Sequence, residues 1–192
     1  MPSSMSLLNV SNVAMDTILR GCDFLSLQIL RKVCHDIRNF IDDVCPFKIV
    51  VLGILVFPNS ISFQLDYMTK EDGLVKSVDF DYDENIENSC FVSASAEKDG
   101  VSRRALTNRD FVEVFMSDFS CILKQLKTEI GRFELVMRPF TPNHWTPQER
   151  QQIDVKFLNN FKEVLKSNKM RTKNIVLKMK QSDNGCFTIF GC

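Results

Sequence analysis

Phe115-Met116-Ser117-Asp118-Phe119, followed by Leu123-Lys124 and Phe133-Glu134-Leu135-Val136-Met137, returns 42 residues further on. The second copy reads Phe157-Leu158-Asn159-Asn160-Phe161, Leu165-Lys166 and Ile175-Val176-Leu177-Lys178-Met179, aligned without a gap. Each copy has the spacing of an amphipathic helix, then a short polar link, then a strand. A period in this range points to stacked helix–strand units. Such units bring their strands together in parallel through right-handed crossovers. The expectation is a short curved sheet with helices on one side. Thr146-Pro147-Gln148-Glu149 reads as a capping box ahead of the second helix, with Pro at the first helical position. Thr107-Asn108-Arg109-Asp110 reads as a weaker version ahead of the first, with Asp where Glu or Gln is usual. The loop at 139–147 between the units holds His144 and Trp145.

Upstream of the repeat, residues 47–105 have strand character. Residues 47–57 are rich in Val, Ile and Leu, which suits a buried strand. Pro58-Asn59-Ser60 is a turn signal. Ile61, Phe63, Leu65 and Tyr67 alternate with polar residues, as do Val78, Phe80 and Tyr82. Residues 90–96 supply a fourth strand, and Cys186-Phe187-Thr188-Ile189-Phe190 reads as another near the end of the chain. Asp79, Asp81 and Asp83 have the spacing that opens a calcium loop, but such a loop needs Gly at its sixth position and Glu at its twelfth. Those positions hold Glu84 and Cys90, so the aspartates read as the solvated face of a strand.

Residues 7–46 are helical in spacing. Ala14, Met15, Ile18, Leu19 and Cys22 make one apolar stripe. Leu27, Leu30, Val33, Cys34, Ile37, Phe40, Ile41 and Val44 make a second, wider one. Gly21-Cys22-Asp23 breaks the two, Ser11 is placed to cap the first helix, and Pro46 closes the segment. Such a segment is too apolar for a linker and too short to bury a core of its own, so it needs something to dock onto.

Composition narrows the function classes. The chain has 24 basic and 24 acidic residues among 192, which gives no argument for a nucleic-acid or membrane partner. The seven cysteines are dispersed, with no C-x-x-C, and read as reduced intracellular thiols. No signal peptide is seen, and the apolar run at 49–57 is too short to span a bilayer. No hydrolase, zinc-protease, dinucleotide or P-loop motif occurs, so no catalytic residue, metal site or cofactor is assigned. Cys34-His35 resembles a nucleophile–base pair only in sequence; neighbouring helical residues point about 100° apart. A basic stretch at 156–180 reads as a solvated helix face with a lysine-rich link.

The first 46 residues resemble an F-box, in particular that of the nematode group carrying an FTH (Fog-two homology) domain. The residues that carry the likeness are Leu7-Leu8-Asn9, Met15, Ile18-Leu19, Asp23-Phe24, Leu27, Leu30-Arg31-Lys32-Val33-Cys34 and Ile37-Arg38-Asn39-Phe40-Ile41-Asp42. The repeat region resembles the FTH domain through Asp110-Phe111, Phe115, Asp118-Phe119, Ile122-Leu123-Lys124, Phe157-Leu158, Phe161, Val164-Leu165-Lys166-Ser167 and Ile175-Val176-Leu177. The implied fold class is α+β. A three-helix F-box over 1–46 would precede a β-rich connecting segment over 47–105 and a partial FTH domain over 106–192. The two helix–strand units of that domain would form a short curved, leucine-rich-repeat-like sheet. The family continues for further units, so by this resemblance the chain reads as either a shortened or a diverged member.

By this resemblance the protein is a non-enzymatic, substrate-recruiting subunit of a Skp–cullin–F-box ubiquitin ligase. Its partners would be a Skp-type adaptor, a cullin reached through that adaptor, and a target protein. The adaptor would be held by Leu8, Val10, Ser11, Met15, Ile18, Leu19, Leu30 and Val33. The family usually has Pro where this chain has Ser11, so the adaptor contact lacks that rigid ring. The expected location is cytoplasmic or nuclear. Two other readings are a protein-binding scaffold whose F-box no longer assembles a ligase, and a nucleic-acid-binding module using the basic stretch.

Overall fold

The computed structural model describes residues 11–33, 35–44, 47–69, 73–85, 89–96, 100–126, 129–137, 147–181 and 185–191. Leu8, Val10, Cys34, Pro46, His144, Trp145 and Thr146 lie outside this set. The chain divides into two units, Met1–Phe47 and Lys48–Cys192. Helices and strands both occur in quantity, in keeping with the mixed class expected.

The first unit holds α1 (Asn12–Arg20), α2 (Phe24–Leu30) and α3 (His35–Val44). The apolar stripe from Leu27 to Val44 is therefore not one helix. It breaks after Leu30, where Lys32 N–H bonds the carbonyl of Ile29 at 2.9 Å and Val33 N–H that of Leu30 at 3.0 Å. These tight turn bonds end α2 and let α3 fold back, so Leu27, Ile37 and Ile41 share one core.

The second unit is built on an eight-stranded sheet of order β5-β4-β3-β2-β1-β6-β7-β8. Its strands are β1 (Phe47–Phe57), β2 (Ser60–Thr69), β3 (Val75–Asn85), β4 (Ser89–Ala96), β5 (Gly100–Leu106), β6 (Ile130–Met137), β7 (Thr172–Gln181) and β8 (Gly185–Gly191). A two-residue turn at Pro58-Asn59 joins β1 to β2. From β2 to β5 neighbouring strands pair antiparallel. Helix α4 (Phe111–Gln125) then carries the chain back to β6, which lies parallel beside β1. Helix α5 (Pro147–Asn168) leads to β7, parallel beside β6, and β8 closes that side antiparallel. Residues 47–105 and 106–192 thus contribute to one sheet. Its parallel pairing is confined to β1, β6 and β7, so it is mixed instead of a run of parallel repeat strands.

The sequence repeat has a physical meaning here. Phe133 pairs with Ile175, Leu135 with Leu177 and Met137 with Met179, so strand partners stand 42 residues apart. The helices keep the same offset. Phe115 stacks on Phe157 at 5.9 Å between ring centroids, and Phe119 on Phe161 at 5.5 Å. Equal increments along both helices mean that α4 and α5 run parallel. Beneath them, Phe63 meets Phe115 and Phe119 edge-on, Tyr82 meets Phe115, and Phe133 stacks with Phe161. A buried side chain of this size stabilises by roughly 1.5–3 kcal/mol, and a good ring pair adds about 0.5–1.5 kcal/mol.

Capping differs from expectation at α4. Asp110, not Thr107, is the N-cap, its carboxylate accepting from Glu113 N–H at 3.1 Å. Asn108 adopts a left-handed φ of 53° in the preceding turn, which delays the helix start. Lys156 of α5 then bridges Asp110 at 3.0 Å and Glu113 at 3.5 Å.

Glycine is required at one close approach. A Cβ on Gly131 would stand 2.6 Å from the carbonyl oxygen of Val50. Burial in β1 slips phase beside that point, with Val50 and Val51 both half-buried between Ile49 and Leu52. Gly131→Ala should therefore force β1 and β6 apart and destabilise the protein by about 1–3 kcal/mol, measurable as a lower urea midpoint with unchanged slope.

Sheet faces divide by chemistry. Register places Ser62, Asp81, Ser93 and Arg103 in one row of the face away from α4, with Asp66, Asp79 and Asp83 on the same face. Ser62 donates to Asp81 and Ser77 to Asp66, each at 2.6 Å. Desolvation, then Asp81 and Asp66, push the Asp79 carboxyl above its ordinary 3.8. A raised carboxyl means that the folded state binds this proton more tightly than the unfolded chain. Stability is then lost as pH rises from about 3.8 through the folded value. Asp79→Asn should melt higher than wild type at pH 7, with the gain vanishing below the ordinary carboxylate range in thermal melts run across pH.

Candidate docking surface

The three helices of the first unit are held by local chemistry legible in the sequence. Ser11 caps α1, its hydroxyl accepting from Ala14 N–H at 3.3 Å. Gly21 ends α1, donating to the Ile18 carbonyl at 3.1 Å. Asp23 caps α2, accepting from Ser26 N–H at 2.7 Å and from its hydroxyl at 3.0 Å. Met15, Leu19, Phe24, Leu27, Ile37, Ile41 and Phe47 make the core, with Phe24 and Phe47 ring centroids 5.8 Å apart.

One ion pair joins α2 to α3. The Arg31 guanidinium is buried and grips Asp42 through both oxygens, Nε to Oδ1 at 2.8 Å and Nη2 to Oδ2 at 3.1 Å. Arg38 donates to the Arg31 carbonyl at 3.1 Å and ties the start of α3 to the same corner. A fork of this kind fixes angle as well as distance.

The outer surface carries apolar side chains that nothing in the first unit covers. Ile29 is 66% exposed and Val33 64% exposed. Ile29 lies in the last turn of α2 and Val33 in the turn that follows it. Val13 and Ile18 are exposed on α1. Of the residues expected to meet an adaptor, Ile18 and Val33 lie on this surface, Leu30 is half-buried, and Ser11 is an exposed cap. Met15 and Leu19 are buried. Val13 and Ile29 belong to the surface and stand outside the set that the family likeness implies; both lie off the apolar stripes.

The chain matches no family model, no curated protein and no solved structure.

Cys22, Cys90 and Tyr82 are each tied into local contacts, and Cys121 is an exposed thiol on α4. The Cys22 thiol donates to the Ile18 carbonyl at 3.4 Å and is pushed up by burial and by Asp23. Cys90 is buried and pushed up to about 11 by burial and then Asp83, which keeps it a protonated thiol. Tyr82 is buried, donates to Asp118 at 3.2 Å, and is raised well above 10 by burial and then that carboxylate. Arg104 completes the cluster at 3.5 Å from the same Asp118 oxygen. Among the described residues no group of three or more His, Cys, Asp or Glu could hold a metal ion, and no helix is long and apolar enough to cross a membrane.

Breaking the α2–α3 fork from one side strands a buried charge. Asp42→Ala should destabilise by about 1.5–3 kcal/mol. Adding Arg31→Met should recover much of that loss, because the second change removes the unpaired group. Urea unfolding of the single and double variants measures both.

Proposed function

We propose that this protein is the substrate-recruiting F-box subunit of a Skp–cullin–F-box ubiquitin ligase. The observation that carries the reading is the exposed Ile29–Val33 ridge on a small three-helix unit distinct from the sheet. Exposed aliphatic side chains on so small a unit lose apolar area to water until a partner covers them. A Skp-type adaptor is the partner the F-box likeness implies, and the adaptor would in turn bind a cullin. The second unit, with its two helix–strand units read as a partial FTH-like domain, would present the target protein. No bond is made or broken by this chain in that role. It acts by proximity, raising the effective concentration of a target beside the charged ubiquitin carrier.

One observation favours the scaffold reading. Met15 and Leu19, two of the expected adaptor contacts, are buried, and Ser11 offers no proline ring. A unit with fewer outward contacts would bind an adaptor more weakly or not at all.

Co-expression of the full chain with a Skp-type adaptor, followed by size-exclusion chromatography, tests the proposal. A one-to-one complex is expected. Ile29→Asp and Val33→Asp should each abolish co-elution while leaving the thermal midpoint nearly unchanged, since both side chains already face solvent. A folded chain that elutes alone would sink the ligase role and leave a scaffold.

A further inference from the structure

The repeat gives α4 and α5 equivalent positions, and the two helices use them differently. Helix α4 receives α5 on one flank. There Met116 and Leu123 are buried, Glu113 meets Lys156, and Ser120 accepts from Asn168 at 3.2 Å. Moved on by one repeat, those α4 positions fall on Leu158, Leu165, Val155 and Lys162 of α5. They again share one flank, the one turned away from α4. Here the pattern is uncovered. Leu158 is 41% exposed, Val155 is 50% exposed, and Leu165 is half-buried where Leu123 is fully so. Lys162 and Lys166 are exposed along the same flank. Only Lys166 has an ion-pair partner among the described residues, Glu163 at 2.9 Å on its own helix.

We infer that the flank of α5 away from α4 receives an amphipathic helix rich in acidic side chains, supplied by another protein. The contact between α4 and α5 is the template. A receiving helix offers a shallow apolar row at i and i+7, and the arriving helix fills it and pairs with charges along the rim. On α4 the receiving charges are acidic and the arriving Lys156 is basic. The charged α4 positions, Asp110 and Glu113, map onto Gln152 and Val155, so the charge on this flank of α5 comes instead from Lys162 and Lys166, and the complementary arrival is acidic. Attraction along such a rim speeds encounter and sets the orientation, while the apolar row holds the complex. The inference does not rest on adaptor binding by the first unit, and either can fail without the other.

The test uses the full chain and two synthetic peptides covering residues 147–168. In one, Lys156, Lys162 and Lys166 are changed to Glu; the other keeps the natural sequence as a basic control. Binding is read by fluorescence anisotropy at 50 mM and 500 mM NaCl. The acidic peptide should bind in the micromolar range and weaken at high salt, and the basic peptide should not bind. Leu158→Asp in the protein should weaken the acidic peptide at least tenfold. The pair Lys162→Glu and Lys166→Glu should do the same and keeps the test alive if Leu158→Asp melts early by circular dichroism. Equal binding of both peptides, or no loss in either variant, overturns the inference. So does a dimer of the chain in sedimentation equilibrium that Leu158→Asp dissolves, since the occupant would then be a second copy. A uridine homopolymer whose binding Leu158→Asp leaves intact, and which displaces the peptide, would show a polyanion surface and overturns it as well.

Discussion

The face-to-face stacking of Phe115 on Phe157 and Phe119 on Phe161 is the contact on which the second unit depends. It locks two helices in parallel at the same offset that the strands beneath them use for hydrogen bonding. A slip of α5 by one turn would leave at most one of the two ring pairs and move Phe161 off Phe133. Backbone pairing and aromatic packing therefore enforce a single register. Phe63 and Tyr82 extend the same ring cluster under α4, which binds the antiparallel half of the sheet to the parallel half. Buried polar groups respect this arrangement. The Tyr82 hydroxyl reaches Asp118 on the margin of the cluster, where Arg104 balances the carboxylate.

The first unit is governed by different physics. Its core is small, and its corner is set by a charged fork between Arg31 and Asp42 instead of by rings. Such a pair adds direction more than net stability, because desolvating Arg31 offsets much of the attraction. What the fork does is fix the angle between α2 and α3, while Ile29 and Val33 are exposed. A fixed apolar ridge on a marginal core suits a unit whose stability is completed by a partner, as the proposed adaptor role requires.

Much of the fold could be read before any coordinates. The strands around Phe63, Val78 and Val92 announce themselves by alternation, because each has one wet face and one dry face. β5 escaped notice for the opposite reason. Gly100-Val101-Ser102-Arg103-Arg104 lies at the sheet edge with its side chains largely in solvent, and no burial pattern is written into it. The three helices of the first 46 residues were expected from the family likeness and not from spacing, because the apolar stripes of α2 and α3 join in sequence. Capping failed at Thr107 because Asp110 is an equally good acceptor three residues later, and only the left-handed turn at Asn108 decides between them. Met15 and Leu19, which the F-box likeness assigned to the adaptor, lie on the apolar stripe of α1 and are buried. Ile29 and Val13 were illegible because an exposed aliphatic residue carries no periodic signature.

The position of β1 between β2 and β6 has a consequence for synthesis in the cell. β2 follows β1 after a two-residue turn, but β6 ends at Met137, far along the chain. At a ribosomal rate of about 5–20 residues per second, the interval between finishing β1 and finishing β6 is roughly 4–16 seconds. Throughout it, the nascent chain carries an open, strongly apolar strand edge at Ile49-Val50-Val51-Leu52 with no natural neighbour. Such an edge invites pairing with other chains. The antiparallel strands β2 to β5, made first, cannot cover it from their side of the sheet. Shielding of the newborn polypeptide by a holding factor, or fast translation through residues 58–137 with low crowding of like chains, is what this strand order asks of the cell that makes it.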